Sequence, residues 1–78
     1  MTEQQKFLIV FNIIKEKGKL SDNLESWAYK GIKASITDGG AIRLIRLGDS
    51  AIQQNYDNSI TYFGKTSEHI LDALIQKL

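Results

Sequence analysis

Seventy-eight residues make room for one domain, 1–78, whose core can hide only about 60% of the surface that the unfolded chain exposes. Cysteine is absent, which excludes disulfides, thiolate metal sites and cysteine nucleophiles, and a single histidine excludes the multi-histidine metal sites. Ten Lys and Arg against nine Asp and Glu leave a net charge of +1, a balance that does not itself call for nucleic acid or an anionic membrane. A chain without cofactor in a reducing, cytoplasmic setting is the expectation, and association with a second copy is the staple left for so small a core.

Thr2 followed by Gln5 fits a capping box, and Phe7, Val10, Phe11 and Ile14 follow at helical spacing. Lys15-Glu16-Lys17-Gly18 closes the pattern with cations and a glycine, which predicts a helix over 3–17. The β-branched Ile9, Val10, Ile13 and Ile14 favour a buried strand instead, and the caps decide for helix. Seven of the eight residues from Phe7 to Ile14 are apolar, a wider stripe than one sheet face requires. The surplus predicts self-association through Phe7, Phe11 and Ile14, giving a homodimer. The run is too short to span a bilayer, and no small-residue cleavage site follows it.

Residues 22–37 carry two patterns. Asp22 and Glu25 fit a second capping box, with Leu24, Trp27, Ala28, Gly31 and Ile32 on one helical face. Ile32, Ala34 and Ile36, however, alternate with Lys33, Ser35 and Thr37 as in a half-buried strand. The reconciliation is a short helix or irregular turn up to Lys30, a break at Gly31, and a strand from Ile32 to Thr37. A single helix over 22–37 is the alternative, opposed by Gly31, Ile36 and Thr37.

Beyond this, Asp38-Gly39-Gly40, Gly48-Asp49-Ser50 and Asp57-Asn58 are turn signals, because glycine supplies positive φ and Asp and Asn tolerate it. They separate Ala41–Leu47, Ala51–Tyr56 and Ser59–Phe63, read as strands, with Asp57-Asn58 as a two-residue link. Thr66 or Ser67 caps a last helix with the stripe Ile70, Leu71, Leu74, Ile75 and Leu78. The class is α+β: helix, antiparallel meander of three or four strands, helix, with both helices on one sheet face. That order resembles the helix-sheet-helix plan of double-stranded RNA-binding domains. Those domains grip phosphates with a lysine cluster at the start of the last helix, whereas Gly64-Lys65-Thr66-Ser67-Glu68-His69 holds one lysine followed by an acid. The resemblance is one of element order alone.

Gly64-Lys65-Thr66 looks like the end of a P-loop, but the glycine required five residues earlier is Ser59. What survives is anion binding at the start of the last helix, beside Lys65. His69 is the sole candidate acid or base; Ser67 diverges from it along the helix, and Asp72 meets it only as a surface pair. Lys33 and Arg43 are expected to face outward from neighbouring strands with Gln53, Asn55 and Thr61, while Arg46, whose parity matches Ile42 and Leu44, is expected to point the other way or cap the sheet edge. Trp27, Tyr29, Tyr56, Tyr62 and Phe63 are candidate interface anchors or stacking platforms for bases; core packing accounts for most of them, and Trp27 and Tyr29, in the least regular segment, are the expected anchors for a partner. The sequence therefore predicts a non-enzymatic protein that binds another protein. A nucleic-acid module using Lys33, Arg43, Arg46 and Lys65 is the alternative, and an enzyme built on His69 or an anion-binding protein using Lys65 is a minor one.

Overall fold

The capping box at Thr2 does start a helix. In the computed structural model, which describes residues 1–78, α1 spans Glu3–Lys17. The Gln5 N–H donates to the Thr2 hydroxyl at 3.1 Å and the Thr2 N–H donates to Gln5 Oε1 at 2.8 Å. Phe7, Val10, Phe11 and Ile14 form its buried stripe. Gly18 ends it, its N–H donating to the Ile14 carbonyl at 2.7 Å. With φ at −83° this glycine needs no left-handed backbone. It is there for space: a Cβ would stand 2.4 Å from the Ile14 carbonyl oxygen and 2.8 Å from that of Ala28.

Ala28 belongs to a sheet of six strands, not three or four: β1 (Lys19–Leu20), β2 (Ser26–Tyr29), β3 (Ile32–Thr37), β4 (Ile42–Leu47), β5 (Ser50–Gln54) and β6 (Ile60–Phe63). They lie in chain order, every neighbouring pair antiparallel. Both extra strands come from residues 19–29, where a short helix or irregular turn was expected. Lys30 and Gly31 have φ of 51° and 79°, the signature of a type I′ turn, and they join Tyr29 to its partner Ile32. The Asp22/Glu25 pattern is a hairpin loop rather than a helix cap. The Asn23 side-chain oxygen accepts from the Glu25 N–H at 3.2 Å, and the Ser21 N–H closes the loop on the Ser26 carbonyl at 2.8 Å.

The predicted turns form with altered detail. Gly48-Asp49 is a two-residue turn with φ of 58° at Gly48, while Asp38 to Ala41 bridge the Thr37–Ile42 pair. The last hairpin is longer than two residues. The Asn55 N–H donates to the Ser59 carbonyl at 2.8 Å across Tyr56, Asp57 and Asn58, with Asn58 left-handed at φ 70°.

α2 (Glu68–Lys77) buries Leu71 and Leu74, and these join Phe7, Val10, Phe11 and Ile14 of α1 and Ile32, Ala34, Ile45 and Ile52 of the sheet in one core. Lys6 ties the helices together, its ammonium 3.2 Å from Glu68 Oε1 and 3.1 Å from Asp72 Oδ1. Those two carboxylates, Asp72 foremost, raise the Lys6 pKa. Tyr62 donates its hydroxyl to Glu3, linking β6 to the start of α1, and burial followed by that bond pushes the phenol well above its usual range. No helix is long and apolar enough to cross a membrane.

Candidate functional site: the polar face of the sheet

Antiparallel register decides which strand residues share a face, since directly opposed residues point the same way. Trp27, Ala34, Ile45, Ile52 and Tyr62 form one row across the sheet, on the face that meets the core. One step along the strands, the other face carries the row Lys19, Ala28, Lys33, Arg46, Ala51, Phe63. Lys33 and Arg46 are direct cross-strand partners, and both are exposed. Like charges directly opposed across strands do not stabilise the sheet. The next row is Ser26, Ser35, Leu44, Gln53 and Thr61. Here Gln53 donates to Asn55 at 2.7 Å, and the Asn55 amide donates to Thr61 at 2.8 Å and to Ser59 at 3.0 Å.

The connections sort the charge further. Loops at one end of the sheet hold Asp22, Glu25, Asp38 and Asp57, with no lysine or arginine among residues 21–25, 38–41 and 55–59. The Asp57 carboxyl is held below its ordinary range by bonds from the Ser59 hydroxyl and N–H. At the opposite end stand Lys30, Lys65 and the row with Lys19, Lys33 and Arg46, against Asp49. The net charge of +1 therefore conceals a dipole running along the strands. Two shallow depressions flank the Lys33–Arg46 pair on this face. Leu44, Ala51 and Phe63 floor one, with Arg46 and Asp49 at its rim; Lys19, Asp22, Ser26 and Lys33 line the other.

Arg43 is not part of this surface. It lies on the core face, between Ile36 and Gln54 in the register, and donates to the buried Gln54 at 3.1 Å. Arg46 takes the outward place beside Lys33 that was expected of Arg43, because the core parity of β4 is Arg43, Ile45 and Leu47 rather than Ile42 and Leu44. Lys19 was missed altogether, and Phe63, one of five aromatics expected as anchors or stacking platforms, is the one that joins this row; the signal that places both is register, which appears only once the strands are paired.

The remaining expected residues fall elsewhere. Trp27 and Tyr29 sit in the regular strand β2, half-buried on the core side. The Trp27 ring meets Phe11 edge-on at 6.2 Å and lies 5.3 Å beneath the Lys15 ammonium. Phe7, Phe11 and Ile14 are buried in the molecule's own core, so the run's surplus reduces to Ile9 and Ile13, half-buried and outside that cluster. In the Gly64-Lys65-Thr66 loop the Lys65 N–H donates to the Ser50 hydroxyl at 3.2 Å, and the Thr66 hydroxyl donates to the carbonyls of Ala51 and Phe63. These bonds anchor the loop to β5 and to the end of β6, while the Lys65 side chain stays exposed. His69 is exposed, and Asp72 turns to Lys6 rather than toward it.

No family model, curated protein or solved structure matches this chain.

Proposed function

We propose that this protein is a non-enzymatic binding protein whose working surface is the polar face of the sheet at its basic end. In this reading both helices cover the opposite face, as their shared core with Ile45 and Ile52 supports, and the polar face is left free for a partner. The observation that carries it is the row of Lys19, Lys33 and Arg46 on one face, with Glu25, Asp38 and Asp57 in the connections at the far end and one carboxylate, Asp22 or Asp49, in each of the depressions that flank the row. Such a field recruits an anionic macromolecule and orients it along one edge of the molecule. The absence of an oriented acid beside His69 supports the non-enzymatic side of the reading.

Affinity capture from a cell extract tests it, with wild type, the double variant Lys33→Gln/Arg46→Gln and the control Lys77→Gln. Material held by wild type and the control but lost by the double variant supports the reading. Material held equally by all three places the working surface elsewhere.

A second reading keeps a protein partner at the β1–β2 hairpin. Leu20 is 43% exposed and pairs directly with Trp27, and Leu24 is 67% exposed. These residues give the hairpin an apolar rim from which the remaining exposed parts of Trp27 and Tyr29 are reached. Leu24→Ser tests this reading, since it removes apolar area from the rim without touching the core.

A further inference from the structure

From the shape and charge of the polar face we infer that its occupant is single-stranded nucleic acid, lying across the strands along the row from Lys19 to Phe63. The inference rests on the proposed working surface and names what fills it.

Size argues first. Five inter-strand steps make the face about 24 Å wide, and strands of this length give it roughly 400 Å². A stable protein interface takes about 800 Å² from each partner, with an apolar centre. This face lacks such a centre, its apolar floor being confined to Leu44, Ala51 and Phe63. A single strand is narrow enough to be held along one row.

Chemistry argues second. Lys33 and Arg46 stand side by side and Lys19 lies two strands away in the same row, so cations recur across the sheet where a sugar-phosphate backbone would run. Phe63 ends the row, 46% exposed and directed away from the core that its neighbour Tyr62 faces, and an exposed ring on a sheet surface is a platform for a base. Gln53 and Thr61, in the adjacent row, add polar groups beside that ring. A duplex is disfavoured because its rigid width would engage only part of a face this small.

The test is fluorescence anisotropy on fluorescein-labelled oligothymidylate and oligouridylate of about twelve nucleotides, within the roughly 4–16 that one sheet-type single-strand site covers. A duplex of the same length and a labelled oligoglutamate run beside them, all titrated with salt. Three phosphate contacts predict a slope of log K against log salt of about −2, falling to about −0.7 in Lys33→Gln/Arg46→Gln. Phe63→Ala should weaken binding at least about fivefold while leaving the slope unchanged. Far-UV circular dichroism and thermal melts confirm that both variants stay folded, as is expected of exposed positions. Binding of either oligonucleotide with these responses supports the inference, and the thymidylate and uridylate arms report which sugar is preferred. If the single strands fail to bind while oligoglutamate binds and is released by the double variant, the nucleic acid is overturned and the surface stands. Failure of every anion at low salt overturns both.

Discussion

Replacing Gly18 with alanine should destabilise this protein, against the usual sign for such a change. At φ −83° an added Cβ is conformationally permitted, and glycine to alanine at a compatible backbone normally stabilises by about 0.4–1 kcal/mol through the unfolded chain. Here the new carbon would sit 2.4 Å from the Ile14 carbonyl oxygen and 2.8 Å from that of Ala28. Ordinary carbon–oxygen contacts begin near about 3.3 Å, so the last turn of α1 must open and the helix end must also move away from β2, each by several tenths of an ångström or more. Both obstacles are backbone, and moving the first also disturbs the 2.7 Å bond from the Gly18 N–H to Ile14. Overpacking of this kind costs about 1–3 kcal/mol, which leaves a net loss of about 0–2.6 kcal/mol, centred near about 1.3, after the chain-entropy gain is subtracted. In a domain of this size each kcal/mol moves the melting temperature by roughly 4–8 °C. Differential scanning calorimetry of wild type and Gly18→Ala gives the answer by sign alone. A variant that melts at or above wild type would refute the close approach of the helix end to β2.

Leu74→Ala, at a core position 5% exposed, should cost about 2–5 kcal/mol in urea unfolding; an unchanged midpoint would mean that α2 does not pack on the core. Lys30→Asn should raise stability by about 0.5 kcal/mol by relieving the left-handed lysine at φ 51°, and a lower melting temperature would show that the Lys30 contact over the Tyr29 ring outweighs that strain. Tyr62 holds its proton in the folded state beyond the pH at which an unfolded tyrosine ionises, so its contribution is complete below about pH 10 and is lost as pH rises above that value. The stability gap between wild type and Tyr62→Phe should therefore narrow between neutral and alkaline pH, and a constant gap would count against the half-buried Tyr62–Glu3 bond.

The helices and the four strands from Ile32 onward were legible because their signals are local. A capping box, a 3.6-residue stripe and glycine-bearing turns each need only neighbours in sequence to be recognised. The β2–β3 hairpin was hidden for a local reason too, since its turn uses Lys30-Gly31, and lysine in the first left-handed place carries none of the Asn or Asp signal. Asp22 and Glu25 then offered a helix cap where the chain makes a loop around Asn23. The face of β4 was misread because Ile42, Leu44, Ile45 and Leu47 place apolar residues on both parities, so alternation cannot say which way an arginine points. Register with β5 resolves it: Ile45 pairs with Ile52, Arg43 with Gln54 and Arg46 with Ala51. The charge dipole along the sheet was likewise invisible, because a net charge of +1 says nothing about which end of a meander each turn occupies.

The most direct test of the proposed working surface is a ¹H–¹⁵N correlation spectrum of the labelled protein, recorded as unlabelled oligothymidylate is added at low salt. The largest amide shifts should fall on Lys19, Lys33, Arg46 and Phe63 and on the adjoining turns at Lys30 and Lys65, with the outward surfaces of α1 and α2 unmoved. Shifts concentrated on the helices, or on the acidic loops around Asp22, Asp38 and Asp57, would contradict the account.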